Sequence, residues 1–379
     1  MKKKLLSLLL ALAMVISLFP TMAFAADTTF ATLEHDGVTT NYSSTYGYSN
    51  SNNTAAADAI NAAVSGDTVH IIANVYLQQD ATLASGATLV IDSGVTLQGY
   101  STNRLIIPAD STLTINGTLN LYKNRAVCAD KTIYYTSISR ALTDAADAND
   151  GRTVYADEGG QYSTAAALDL SNVNVSIVVP TGQTLKTTGG IMTIKKGTVT
   201  GGGAVTAKVS YEHGDNVVYV NNYADISTCG IASGETMTVN ESFQTYAAIT
   251  IPAGAYLNIP AGMKLTAGST AGYDIVVDSD KVIGDGTIVA EGAVTASGRT
   301  TYYAKFQNAY DAISTGGTIT VSGKTGVALP NASEFSGDKY LNIAADASVT
   351  VGTSGTKTLT IADGNLSGDG TITSAAKIV

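Results

Sequence analysis

Along most of the chain, apolar and polar residues alternate in runs of three or four positions, and each run ends in a turn. Val69-His70-Ile71-Ile72, Leu89-Val90-Ile91, Leu105-Ile106-Ile107, Leu257-Asn258-Ile259 and Leu359-Thr360-Ile361 are such runs. Alternation of this kind predicts short β-strands. The turns have a mechanism: in Ile251-Pro252-Ala253-Gly254, proline presets φ at the second position and glycine suits the fourth. The same pattern returns eight residues later at Ile259-Pro260-Ala261-Gly262. Strand and turn at this spacing describe a coil rather than long hairpins.

Internal similarity organises these runs into four copies. A Gly-x-Thr motif followed by alternating apolar residues occurs at Gly66-Asp67-Thr68-Val69, Gly151-Arg152-Thr153-Val154, Gly234-Glu235-Thr236-Met237 and Gly316-Gly317-Thr318-Ile319, at spacings of 85, 83 and 82. A second anchor follows each by 28 to 31 residues, at Ile91 to Gly94, Val179 to Gly182, Ile259 to Gly262 and Ile343 to Asp346. A third follows the first by 51 to 54, at Gly117-Thr118-Leu119, Gly203-Ala204-Val205, Gly286-Thr287-Ile288 and Gly370-Thr371-Ile372. Chance does not hold three anchors in phase over four copies.

A change of period precedes each first anchor. Tyr135, Ile138, Ala141, Leu142 and Ala145 share one face of a 3.6-residue helix, and Tyr303, Phe306, Ala309, Tyr310 and Ile313 repeat the pattern. The first copy offers the alanine-rich run around Ala56, Ala59, Ile60 and Ala63, which has high helix propensity. The third copy is degraded (Tyr219, Tyr223, Ile226) and stopped by Gly230. Helices are expected near 55–64, 136–148 and 304–314.

Two all-β architectures fit a unit of this length: a parallel β-helix with one short helix per repeat, and, as the alternative, tandem immunoglobulin-like β-sandwiches. A sandwich wants about seven strands of five or six residues and has no use for an obligate helix. The shorter strands and denser turns favour the solenoid, in which stacked coils satisfy one another's backbone groups. The expected organisation is a leader over 1–25, a polar segment or cap over 26–54, and a solenoid over 55–379 in four repeats, about 46–125, 126–209, 210–296 and 297–379.

The leader is read from Lys2, Lys3 and Lys4, the apolar stretch Leu5 to Phe19, and Ala23-Phe24-Ala25, a small-x-small site that places signal-peptidase cleavage between Ala25 and Ala26. Its removal takes three lysines and no acids, so the formal charge of −10 becomes −13. An acidic exported chain is a poor partner for nucleic acid. No later segment reaches the length of a membrane span, so no transmembrane anchor is expected in the mature chain. The localisation expected is secreted, extracellular or cell-surface. Cys128 and Cys229 lie in a compartment where a bridge could persist, but at different phases of the repeat.

The run Ala59-Ile60-Asn61-Ala62-Ala63-Val64-Ser65-Gly66-Asp67-Thr68-Val69-His70-Ile71 resembles the helix-then-Gly-Asp-Thr-strand start of the pectin-lyase-like right-handed β-helix superfamily. The repeated Tyr-Tyr, helix and Gly-x-Thr unit is similar to repeats of secreted surface proteins from Gram-positive, clostridia-like bacteria. The resemblance spans most of 46–379 and is one of pattern, not of a catalytic motif. It implies a right-handed coil. Because members of the superfamily often cleave acidic polysaccharides, it also obliges a search for clustered Asp with Arg or Lys, or for several Asp near a Gly-His-Gly-like turn.

That search finds little. His213-Gly214-Asp215 is the nearest approach and lies between the second and third copies; His70 falls inside a strand, and His35 in the polar segment. Asp144, Asp147, Asp150, Asp157 and Glu158 form the densest acidic group, but adjacent Asn149 and Asp150 break the alternation of a calcium loop, and no Glu closes it. Gly284-Asp285-Gly286 and Gly368-Asp369-Gly370 occur once per copy, which does not make a calcium roll. No catalytic, cofactor-binding or metal residue is therefore assigned, and no cofactor is expected. Tyrosine is the one surplus, 20 residues against 6 Phe and no Trp. Pairs such as Tyr134-Tyr135 and Tyr302-Tyr303 read either as sugar-stacking rings or, since they recur at a structural position, as staples beneath the helices. The composite expectation is a non-catalytic, adhesin-like surface solenoid, with cell-wall or host glycans or surface proteins as its partners and end-to-end self-association as a further contact. A β-helix polysaccharide lyase or glycoside hydrolase is the alternative.

Overall fold

The computed structural model describes residues 27–100, 102–121, 124–330, 332–352 and 358–374. They form two compact units. One contains the residues up to 121 together with Ala129–Thr136; the other contains Asn124–Cys128 and the chain from Ser137 onward. Both are β-solenoids of stacked parallel coils, the right-handed parallel β-helix expected from the pattern, with four short helices among the described residues.

The first unit shows how the alternation becomes a coil. Thr68–Ile71, Thr88–Ile91 and Thr112–Ile115 stack as a parallel ladder in register, Val69 on Leu89 on Leu113 and Ile71 on Ile91 on Ile115. Val75–Leu77, Thr96–Gly99 and Thr118–Asn120 form a second ladder, and Ala81–Thr82 with Arg104–Pro108 a third. Apolar members of the first two coils point inward: Val69, Ile71, Leu77, Leu89, Ile91, Leu97 and Leu105 are fully buried. Each such side chain contributes roughly 1.5–3 kcal/mol. Backbone hydrogen bonds run from coil to coil, so polar main chain is satisfied without charged side chains.

The second unit repeats this plan three times. Its first ladders are Thr153–Ala156, Ser176–Val178 and Val199–Thr200; then Thr236–Val239, Tyr256–Asn258 and Val282–Ile283; then Gly317–Val321, Lys339–Ile343 and Leu366–Ser367. The anchors now explain one another. The third-anchor glycine of every copy donates its N–H to the second-anchor carbonyl one coil below: Gly117 to Ile91 (3.1 Å), Gly203 to Val179 (2.8 Å), Gly286 to Ile259 (2.8 Å) and Gly370 to Ile343 (2.9 Å). A Cβ at Gly286 would lie 2.4 Å from Ile259 Cγ2 and 2.5 Å from the Pro260 carbonyl oxygen. Glycine recurs there because only glycine fits that approach.

One element was not foreseen. Each copy opens with an antiparallel hairpin, and in the second unit these hairpins join one copy to the next. Val209–His213 and Asn216–Val220 pair with each other; the outer strand then pairs with Ile191–Lys195, the last third-ladder strand of the preceding copy, and the inner with Thr236–Val239. Gly292–Ala296 and Arg299–Tyr303 do the same between Ile275–Asp278 and Gly317–Val321. The parallel ladders are thus interrupted once per copy by two antiparallel strands. In the first unit, Thr28–His35 and Val38–Ser44 form such a hairpin on Thr68–Ile71, within the stretch expected to be a polar cap.

A helix follows each hairpin: α1 (Ala55–Ala62), α2 (Ile138–Ala148), α3 (Tyr223–Thr228) and α4 (Phe306–Ala312). In α2, Ser137 caps the N-terminus by accepting from the Arg140 N–H, Asn149 ends the helix in the left-handed region, and Ile138, Ala141, Leu142 and Ala145 are the buried stripe. The degraded third pattern yields only six residues, capped by Asn222.

Candidate functional site

The three histidines and Asp144, Asp150 and Asp157 are each held by a structural partner. His213 ends the inner hairpin strand, opposite Asn216, and its Nδ1 lies 2.9 Å from Glu235 Oε1, a first-anchor residue. His213-Gly214-Asp215 is therefore the turn of a hairpin rather than a linker between copies. The first copy makes the same latch, His35 Nδ1 to Asp67 Oδ1 at 2.7 Å. The Val64 N–H and the His35 contact hold the Asp67 carboxyl below its ordinary value, and Asp67 raises His35 in turn. His70 faces outward from its strand and meets Asp92 at 3.0 Å.

Asp150 is gripped by the Arg152 guanidinium at 2.7 and 2.8 Å, which holds its carboxyl down at about 2. Asp144 pairs with Arg140 at 2.8 Å, and Asp157 with Arg125 at 3.0 Å. Asp215 contributes its backbone carbonyl to the Lys196 N–H. These groups do not converge. Among the described residues, no three His, Cys, Asp or Glu side chains gather as a metal site. Cys128 and Cys229 are not joined in a disulfide; the Cys128 thiol faces Asp150 Oδ2 at 3.9 Å, and burial pushes the Cys229 thiol up. The cleavage pair Ala25 and Ala26 lies outside the described residues.

Of the tyrosine pairs, the structural reading fits Tyr135, which is fully buried. Tyr302 is largely buried on its hairpin strand, and burial raises its phenol. Exposed rings that contact other rings lie elsewhere, on two faces that the sequence pattern does not single out.

The first face is in the first unit. Val75 and Leu77 point into the coil, so Tyr76 between them points out. In the ladder, Gln98 lies beside Tyr76 and Asn120 beside Gln98, which makes a row of one ring and two amides. The Tyr76 N–H donates to the Tyr48 carbonyl at 3.1 Å, which ties the segment around Tyr48 to this row. Tyr48 stacks on Tyr76 with centroids 5.8 Å apart, and Tyr100 meets Tyr76 edge-on at 6.0 Å. Tyr48 is 54% exposed and Tyr100 43%. A cleft of about 230 Å³ opens between Tyr48, Asn74, Tyr76, Thr96 and Gln98, with no charged side chain in its lining.

The second face is in the second unit. Tyr223, at the start of α3, packs against Phe243 at 5.9 Å and Tyr246 at 5.6 Å. Tyr246 is 62% exposed. Lys208 Nζ lies 5.1 Å from the Tyr223 ring centroid and donates to Asn221 Oδ1 at 3.1 Å. Lys186 pairs with Glu241 at 2.5 Å beside it. Burial pushes the Lys208 ammonium below its ordinary value, against the pull of Glu241. This cluster joins Lys186 and Lys208 of the second copy to Tyr223, Glu241 and Tyr246 of the third. At the corresponding place in the fourth copy, Glu291 receives Lys324 at 3.0 Å and the Phe306 N–H at 3.1 Å.

The first face had a faint signal in sequence, an aromatic residue at the outward position of an alternating strand. The second had none, because Lys186 on a ladder strand, Lys208 before a hairpin and Glu241 and Tyr246 either side of Phe243–Gln244 are far apart in sequence. No family model matches the chain, and no curated protein or solved structure matches it. No helix among the described residues is long and apolar enough to cross a membrane.

Proposed function

We propose that this chain is an exported, surface-associated β-solenoid that binds glycans without cleaving them, an adhesin-like protein of the pectin-lyase-like β-helix superfamily from a Gram-positive, clostridia-like bacterium. The observation that carries the binding is the pair of exposed rings, Tyr48 and Tyr100, set against half-buried Tyr76 beside the Gln98 and Asn120 amides. Flat rings offer contact area to the apolar faces of sugars at low entropic cost, and amides give and accept hydrogen bonds to hydroxyls. The four-fold repetition supports a structural role, since equal copies build length and display area. The leader supports export.

A specific observation favours a second reading. Lys208 and Lys186 beside Tyr223 and Tyr246 form a basic and aromatic group, suited to a carboxylated sugar. Lys208, with its lowered pKa, is the residue on which a lyase reading would rest as base. Glycan-array binding run beside a lyase assay on pectate, alginate and other uronate-rich polymers separates the two. Binding without unsaturated product supports the adhesin, and product lost in Lys208→Ala replaces it with the lyase.

A further inference from the structure

The hairpin junctions inside the second unit define what a complete junction looks like, and the chain carries both halves of one more. In each, the outer hairpin strand lies between its own partner and the last third-ladder strand of the preceding copy. Asn216–Val220 takes Ile191–Lys195, and Arg299–Tyr303 takes Ile275–Asp278, both antiparallel. The residue after the hairpin is also tied back: the Ala304 N–H donates to Asp274 Oδ1 at 2.7 Å, and Asn221 Nδ2 to the Thr188 carbonyl at 2.9 Å.

In the first unit the corresponding outer strand, Val38–Ser44, has one partner among the described residues, Thr28–His35. Its other edge pairs with no strand among the described residues. The position of Ala304 and Asn221 is held there by Ser43, and a cleft of about 390 Å³ lies beside it, lined by Tyr42, Ser43, Ser44, Thr45, Asn52 and Asp58 among others. Thr39 is exposed, whereas its counterpart Thr300 is buried beneath a filled junction. In the fourth copy the last third-ladder strand, Thr358–Ile361, is likewise paired on one side only among the described residues, with Ala332–Phe335. Neither open edge carries the charge or proline with which proteins block unwanted strand pairing.

We infer that Thr358–Ile361 of one molecule pairs antiparallel with Val38–Ser44 of a second copy, reproducing between chains the junction that the second unit makes twice within one. Carrying over the register of Ile275 on Tyr302 and Val277 on Thr300 sets Leu359 opposite Asn41, Thr360 opposite Thr40 and Ile361 opposite Thr39. The two surfaces differ, so the contact is heterologous. Each bound molecule presents a fresh edge, and growth proceeds as an open assembly rather than a closed dimer.

The test is sedimentation of the purified mature chain over a concentration series, with Thr40→Asp and Thr360→Asp as variants at exposed or half-exposed strand positions. The weight-average mass of the unmodified chain should rise with concentration well past that of a dimer. Each variant alone should stay monomeric with an unchanged circular-dichroism spectrum. Mixed in equal amounts, the two should give a dimer and nothing larger, because one intact edge of each kind remains. A covalent readout backs this up: with Cys128 and Cys229 replaced by Ser, Thr40→Cys and Thr360→Cys chains should form a mixed disulfide on oxidation, and neither should do so alone. A chain that stays monomeric throughout overturns the inference. So does an assembly that both aspartate variants still form, or a mixture that stays monomeric while the unmodified chain assembles.

Discussion

The first and third copies are built on the same plan of three ladders and share the His-to-carboxylate latch at the hairpin, yet their exposed aromatic faces are unlike. In the first, Tyr48, Tyr76 and Tyr100 stand among amides and threonine, with no charge in the cleft. In the third, Tyr223 and Tyr246 stand beside Lys208 and the Lys186–Glu241 pair. The interior is fixed by stacking, since an inward side chain must match the one a coil away. An outward side chain also has ladder neighbours, but with solvent on its other side it need not fill a fixed volume and is free to diverge. Repetition inside and difference outside is what the proposed glycan-binding role asks of a scaffold that displays separate surfaces.

The largest effects should come from breaking the interior, and alike in both regions. Ile91→Asp and Ile259→Asp each place a charge at a buried second-anchor position, and each should destabilise its unit by about 3–5 kcal/mol. Ile283→Asp is the contrast: at 41% exposure it should stay within about 0.5 kcal/mol. Denaturant melts of the three variants check this, and a mild Ile259→Asp would show that the ladder does not carry the fold.

Next in size are the third-anchor glycines. A Cβ at Gly117 would lie 2.2 Å from the Val95 carbonyl oxygen, and one at Gly286 2.4 Å from Ile259 Cγ2. Gly117→Ala and Gly286→Ala should therefore each cost about 1–3 kcal/mol, and by similar amounts. A large cost at one and none at the other in thermal melts would contradict the equivalence of the copies.

These glycines also show how far the sequence could be read. The second and third anchors keep phase because they touch, so the coil was legible in them. The helices were legible where a full apolar stripe exists, as in α2, and fade in α3, where six residues suffice. The hairpins were not read, because Val209–His213 and Asn216–Val220 alternate just as the parallel strands do. What distinguishes them is the turn. Asp36-Gly37 and Ser297-Gly298 have positive φ at both residues, the backbone that two-residue hairpins demand. At the third hairpin the turn is Gly214-Asp215, and the histidine that ends the strand before it, His213, makes the run read as chemistry rather than as a turn. The candidate faces were illegible for another reason: ladders bring together residues that sequence keeps far apart.

A smaller effect should follow pH in the first copy. His35 is raised by Asp67, so its contribution is complete below the unfolded histidine value of about 6.5 and is lost as pH rises through the raised folded value. Asp67 is lowered, so its contribution is present above the unfolded value of about 3.9 and is lost as pH falls through the depressed folded value. The latch should hold best between about pH 4 and 6.5. The melting temperature of the first unit, followed against pH, should show this maximum and lose it in His35→Gln. An unchanged profile in that variant would remove the latch from the account.

Smallest in stability and largest in function are the outward tyrosines. Titration of neutral and uronate-containing oligosaccharides into the unmodified chain, Tyr76→Ala and Lys208→Gln tests the divergence of the two faces most directly. Tyr76→Ala should lose about 1–2 kcal/mol of binding to the neutral glycan and keep its affinity for the acidic one. Lys208→Gln should do the reverse, with both variants melting as the unmodified chain does. Loss of both ligands in either variant, or of neither in both, would contradict the claim that a repeated interior here carries distinct binding surfaces.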